Sequence, residues 1–139
     1  MTSFLDPLLR PGATDHVLEN LRTGRVIADH LLTAFDSASR RRGLLGRNEL
    51  TPGIALIIAP SNAVHTFFMR FAIDVAFVAR DGRVIKVRSA VPSWRMTGAL
   101  RAFTVIEFSA GTLARTDTIV GDRLICRAAD PAAHPSAGR

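Results

Sequence analysis

The chain has one cysteine, one lysine and no tyrosine in 139 residues, and each scarcity narrows the functions open to it. A lone Cys126 forms no intrachain disulfide, so the fold must rest on its core, which suits a reducing compartment. Nor does it complete a CxxC pair, and His16, His30, His65 and His134 show neither HxH nor HExxH spacing, so no metal and no cofactor is expected. Serine nucleophile elbows are missing. So is a glycine-rich loop leading from a strand into a helix. The stretch GLLGR at residues 43–47 follows a helical segment and has too few glycines to cradle a phosphate. No window approaches the run of about 18 apolar residues that a membrane span requires. The opening MTSFLDPLLRPGATD lacks the basic start, apolar run and cleavage site of a secretory signal, so a soluble cytoplasmic protein is the expectation.

What is present describes a globular domain. Hydrophobic residues make up 47% of the chain and charged ones 22%, enough for one domain with a core of its own. Eighteen basic residues, all arginine except Lys86, outweigh twelve acidic ones and leave a net charge of +6. Such a surface attracts polyanions at low salt. The arginines are nevertheless scattered, and no stretch interleaves them with aromatics as a single-strand-binding sheet does, so nucleic acid is not the expected partner.

Along the chain, residues 1–15 read as an irregular N-terminal arm, 16–128 as a single domain and 129–139 as a flexible tail. Two β-compatible runs flank a turn at Arg22-Thr23-Gly24-Arg25. A short helix is predicted near residues 34–42, opened by Thr33 with Asp36 and stopped by Gly43. Arg40, Arg41 and Arg42 then fall in its last turn, where positive charge complements the helix dipole. IALIIA at 54–59 reads as a strand buried on both faces, and 63–71 and 73–80 as two more. Asp81-Gly82 predicts a type I′ hairpin. Residues 92–98 read as a loop, 103–108 as a strand, TLARTD as one helical turn, and a last strand begins near Asp122. These elements predict a mainly β fold. It would be a compact, mostly antiparallel sandwich or barrel-like domain of seven to eight short strands with one helix inserted early.

The residues that invite chemistry lie in HTFFMRFAIDVAF, residues 65–77. If 63–71 is one extended strand, His65, Phe67, Met69 and Phe71 share a face and Arg70 points away. Asp74, between Ile73 and Val75, and Glu107, between Ile106 and Phe108, are carboxylates in apolar strands. Each needs a partner, and the two together invite an acid/base pair. Trp94 and Arg95 on a loop would supply ring area and a guanidinium for an acidic group. Cys126, flanked by Ile125 and Arg127, reads as a small core residue.

The ordered motifs GLLGR (43–47), HTFFMRFAIDVAFVARDGRVIKV (65–87), PSWR (92–95), VIEFSAG (105–111) and VGDRL (120–124) resemble the domain of unknown function family 192. The likeness is to the branch with an HT-x-x-M-x-x-x-ID-x-x-F signature followed by a DG hairpin. It spans roughly His16 to Arg127. The family's characteristic positions fall on Gly43, Leu44, Gly46, Arg47, His65, Thr66, Met69, Asp74, Asp81, Gly82, Arg95, Glu107, Gly111, Gly121 and Asp122. The family often has glycine where Phe68 stands and proline where Ala72 stands, so the Phe68 ring is expected to narrow or reshape any pocket beside Met69. The resemblance implies a compact β domain and no particular activity.

The leading functional expectation is a small binding or protein-interaction domain without catalysis, with His65, Met69, Asp74, Trp94, Arg95 and Glu107 lining its site. Its partner would be an acidic small molecule or another protein. The alternatives are an acid/base hydrolase or isomerase using His65 with Asp74 or Glu107 and, behind it, nucleic-acid binding through the basic surface.

Overall fold

In the computed structural model, which describes residues 2–12, 15–44 and 46–130, the apolar run IALII is a strand buried along nearly its whole length. Around it the chain lays down α1 (Asp6–Leu9), β1 (His16–Asn20), β2 (Val26–Ala28), β3 (His30–Ala34), α2 (Ser37–Arg42), β4 (Ile54–Ile58) and β5 (Ala63–His65). There follow β6 (Ile73–Val78), β7 (Val84–Val91), β8 (Met96–Gly98), β9 (Thr104–Ser109), α3 (Thr112–Arg115) and β10 (Leu124–Ala128). The fold is therefore mainly β, with ten strands and three short helices among the described residues.

Five strands form the main sheet in the order β3-β4-β9-β6-β7. Because strand side chains alternate, each of its strands feeds two cores. On one face Ala55, Ile57, Ala76, Val78, Ile106 and Phe108 pack against Leu18, Ile27, Leu124 and Cys126 of the three-stranded sheet β10-β1-β2. On the other, Leu56, Ile58, Ile73, Val75, Phe77 and Val105 pack against Leu44, Leu50 and Met69, with Val64 of the β5-β8 pair alongside. Phe77 and Phe108 are fully buried, one on each side, and truncating either to alanine would cost about 3–5 kcal/mol.

Several sequence expectations change at this level. The strands number ten because the chain breaks at Asp29, sending β2 to β1 and β3 to β4, and because short strands flank the main sheet. The sheets do not close into a barrel. One pair, β3 with β4, is parallel, since the segment 35–53 that contains α2 acts as a crossover. Thr33 and Ala34 belong to β3. The helix is capped instead by Asp36, which accepts from the Ser39 backbone N–H at 2.7 Å. The arm carries a helical turn, α1, and docks through buried Leu5 and a Phe4 N–H bond to the Arg80 carbonyl. Residues 131–139 of the expected tail, with His134, lie outside the described residues.

The hairpin between β6 and β7 forms at Asp81-Gly82, but only Gly82 has positive φ (+94°). This is a bulged turn closed by the Gly82 N–H on the Ala79 carbonyl; type I′ needs two left-handed residues. A β-carbon at Gly82 would stand 2.2 Å from the Leu124 carbonyl oxygen, so the close pass of β10 also requires glycine. No helix among the described residues is long and apolar enough to cross a membrane.

Candidate functional site

The predicted strand over 63–71 ends at His65. Residues 66–69 form a turn closed by the Met69 N–H on the Thr66 carbonyl (3.1 Å), with Phe68 at φ +65°. This bend opens a cleft of about 670 Å³ between α2 and its C-terminal loop on one side and β5 with the 66–69 turn on the other. Ile58, Val64 and Met69 give it an apolar wall, and Arg40, Arg41 and Arg42 line it from the end of α2. Glu107 completes the lining.

Glu107 is placed by β9, the central strand, between Leu56 of β4 and Val75 of β6. Its residue is 3% exposed, and its Oε2 is buried without a hydrogen-bond partner. Burial pushes its carboxyl up to about 8, so it is mostly neutral near pH 7 and carries an O–H able to donate. A buried polar atom without a partner costs stability.

The cationic lining is partly free. Arg40 is tied back to the Phe35 carbonyl (2.7 Å) and the Ser37 hydroxyl (3.3 Å). The Arg41 and Arg42 side chains are exposed and form no hydrogen bond or ion pair with a described residue. His65 is exposed at the cleft edge with its ring stacked on Phe67 (centroids 4.8 Å apart), and no hydrogen bond joins it to either carboxylate.

Of the six side chains expected to line a site, the structure brings His65, Met69 and Glu107 to this cleft. Asp74 lies on the opposite face of the sheet. Its Oδ1 accepts from Ala90 N–H (2.8 Å), and its Oδ2 accepts from Gly111 (3.1 Å) and Leu113 (3.0 Å) N–H. It therefore anchors the start of α3 to the sheet, where Gly111 holds φ +92°. Asp74 pairs with neither His65 nor Glu107, which corrects the expected acid/base pair. Trp94 and Arg95 are also outside the lining. Their backbones bind the Thr66 turn, and the Trp94 ring meets Phe68 edge-on at 4.6 Å.

The arginine triplet is absent from the expected site, because a run at a helix C-terminus is explained by the dipole alone. Only the tertiary fold turns that end toward Glu107. Asp81 and Asp122, two of the family's characteristic positions, lie outside the cleft lining. Asp81 accepts from the Arg83 N–H and the Arg123 guanidinium. Buried Asp122 takes bonds from Arg22, Asn20 and the Ile119 N–H, and the Arg22 guanidinium above all holds its carboxyl down at about 2. Among the described residues no three His, Cys, Asp or Glu side chains converge as metal ligands would.

The arrangement is that of a mainly β domain with a basic-rimmed cleft over a buried carboxyl. Two solved structures share the fold. One is a proposed transcription regulator from Sinorhizobium meliloti 1021, 22% identical, with a TM-score of 0.68 over 78% of this chain and 89% of that one. The other is a protein of unknown function from Novosphingobium aromaticivorans DSM 12444, 21% identical, with a TM-score of 0.69 over 83% of this chain and 89% of that one. No curated protein matches the chain. The profile of DUF192, described as an uncharacterized ACR, matches residues 20–126, and the chain belongs to that family.

Proposed function

We propose that the protein is a binding module that takes a small organic anion into the cleft between α2 and β5. The observation that carries this reading is the buried, unpartnered Oε2 of Glu107 in a cleft that three arginines also line. A carboxylate or phosphate would sit against the Arg41 and Arg42 guanidiniums. An acceptor further along the ligand would take the Glu107 O–H, and the apolar remainder would lie on Ile58, Val64 and Met69.

A ligand-observed NMR screen of small carboxylates, phosphates and neutral isosteres tests the reading. Anions are expected to bind, and to lose binding in Arg41→Ala combined with Arg42→Ala. Binding by neutral fragments alone, or anion binding untouched by the double variant, would contradict it.

A second reading rests on the same carboxyl. A glutamic acid held near neutrality is suited to general-acid work, and His65 lines the same cleft. It ranks second because His65 and Glu107 share no hydrogen bond and no nucleophile lines the cleft beyond Ser37 and Ser61. Turnover of a bound ester or phosphate, abolished by Glu107→Gln, would favour it over simple binding.

A further inference from the structure

Beside the cleft, the fold displays large apolar side chains that its core does not use. Phe68 is 70% exposed, Trp94 56% and Met96 69%. They form one patch. The Phe68 and Trp94 rings meet at 4.6 Å and 60°, Phe67 lies 5.7 Å from Trp94, and Met96 stands opposite His65 in the β5-β8 pair.

Their display is built in. Phe68 and Trp94 both hold left-handed backbones (φ +65° and +66°), a costly conformation for ring-bearing residues. One buried residue secures both turns. The Thr66 hydroxyl donates to the Pro92 carbonyl (2.6 Å) and accepts from the Arg95 N–H (2.9 Å). The Thr66 carbonyl accepts from the Trp94 N–H (3.0 Å), and its own N–H donates to the Arg95 carbonyl (2.8 Å). The Ser93 hydroxyl adds a bond to the Met69 carbonyl (2.6 Å). Two strained turns clasped in this way hold two rings out into solvent.

The segments that build the patch carry charge of one sign. Residues 50–73 and 82–106 contain no Asp or Glu, while Arg70 and Arg95 flank the two apex rings in sequence and Arg101 follows β8. The ion pairs of the described residues lie elsewhere, joining Arg22, Arg123 and Arg127 to Asp117, Asp122, Asp81 and Glu19. Carboxylates thus pair with arginines on the side of the three-stranded sheet, while Arg70 and Arg95 form no ion pair with a described residue. Arg70 donates to the Asn48 side-chain oxygen (2.7 Å), and Arg95 stays beside its own loop carbonyls.

We infer that this edge docks on an anionic lipid bilayer. The Phe68 and Trp94 rings and the Met96 side chain enter the boundary between headgroups and acyl chains, and Arg70 and Arg95 meet lipid phosphates. Amphipathic rings favour that boundary, and basic side chains beside them are drawn to acidic headgroups. Single-stranded nucleic acid fits less well. The two exposed rings stand edge to face and offer no parallel stack for bases, and an exposed methionine adds nothing to stacking. Trp94 and Met96 lie outside the cleft lining, and Phe68 is the one residue of the three that the patch shares with the cleft, so the variants that test the inference are placed at Met96 and Arg95.

Trp94 is the sole tryptophan, so its emission reports on the patch directly. The full chain is titrated with phosphatidylcholine vesicles, with vesicles containing phosphatidylglycerol, and with oligothymidylate. The expected result is a blue shift of Trp94 with the phosphatidylglycerol vesicles only, weakened by added salt. Met96→Ser and Arg95→Glu should each raise the lipid concentration for half-saturation by about tenfold. No blue shift with phosphatidylglycerol vesicles, an equal shift with both kinds, or a shift with oligothymidylate alone overturns the inference.

Discussion

Asp74 and Glu107 are buried in neighbouring strands of one sheet, yet they face opposite sides of it. The antiparallel register of β6 and β9 sets Asp74 opposite Phe108 and Glu107 opposite Val75. Residues directly opposite share a face, so the two carboxylates are separated by the sheet itself. Asp74 is spent on three backbone N–H groups, and Glu107 is left with an orphaned oxygen beside a cleft.

The first prediction follows for Asp74. Replacing it by alanine strands three N–H donors, two of them at the start of α3. Asp74→Ala should lower unfolding free energy by about 3 kcal/mol or more in urea titrations. A loss below about 1 kcal/mol would show that water replaces the carboxylate at little cost.

Glu107 should impose a pH dependence of the opposite kind from most carboxylates. Its folded pKa, about 8, lies above the usual 4.5, so between those values the folded chain holds a proton that the unfolded chain has released. Stability should therefore fall as pH rises from about 4.5 to about 8 and level off beyond, by an amount on the order of 5 kcal/mol. Glu107→Gln should flatten that slope in denaturation curves taken across the range. An unchanged slope would place the ionisation elsewhere.

Thr66 is predicted to be the pin of the aromatic edge. Thr66→Val keeps the shape but removes the hydroxyl shared by Pro92 and Arg95. It should cost about 1–3 kcal/mol and lower the fluorescence anisotropy of Trp94. Unchanged anisotropy would mean that the backbone bonds alone hold the two turns together.

Cys126 should be inert in the native state. It is 5% exposed, and burial pushes its thiol up to about 12, leaving almost no thiolate near neutrality. A thiol-reactive chromophore should label it only after unfolding in guanidinium. Rapid native labelling would mean that the core around β10 opens readily.

Much of this fold was legible in the sequence because its signals are local. Asp81-Gly82 marks a hairpin, IALII is too apolar and too short for anything but a buried strand, and Gly43 ends a helix. The misreadings have separate causes. Residues 63–71 look like a continuous strand, since nothing in HTFFM shows that Phe68 takes a left-handed backbone, where a glycine would have given the turn away. Face assignments built on that strand failed with it, although His65 and Met69 still meet at the cleft through the turn. The opposition of Asp74 and Glu107 depends on strand register, which is set by pairing between distant segments. The placement of Arg40, Arg41 and Arg42 in the cleft lining likewise depends on where the α2 crossover returns the chain.

The central claim is that Glu107 is the floor of an anion-binding cleft. The most direct measurement is the ¹³C signal of its side-chain carboxyl, followed while an anionic fragment that binds the protein is titrated in near neutral pH. The account predicts that the Glu107 signal starts at the position of a protonated carboxyl and moves in step with fragment binding, while Glu19 and Glu49 stay still. A Glu107 carboxyl already ionised near pH 7, or one that does not respond while the fragment binds, would contradict it.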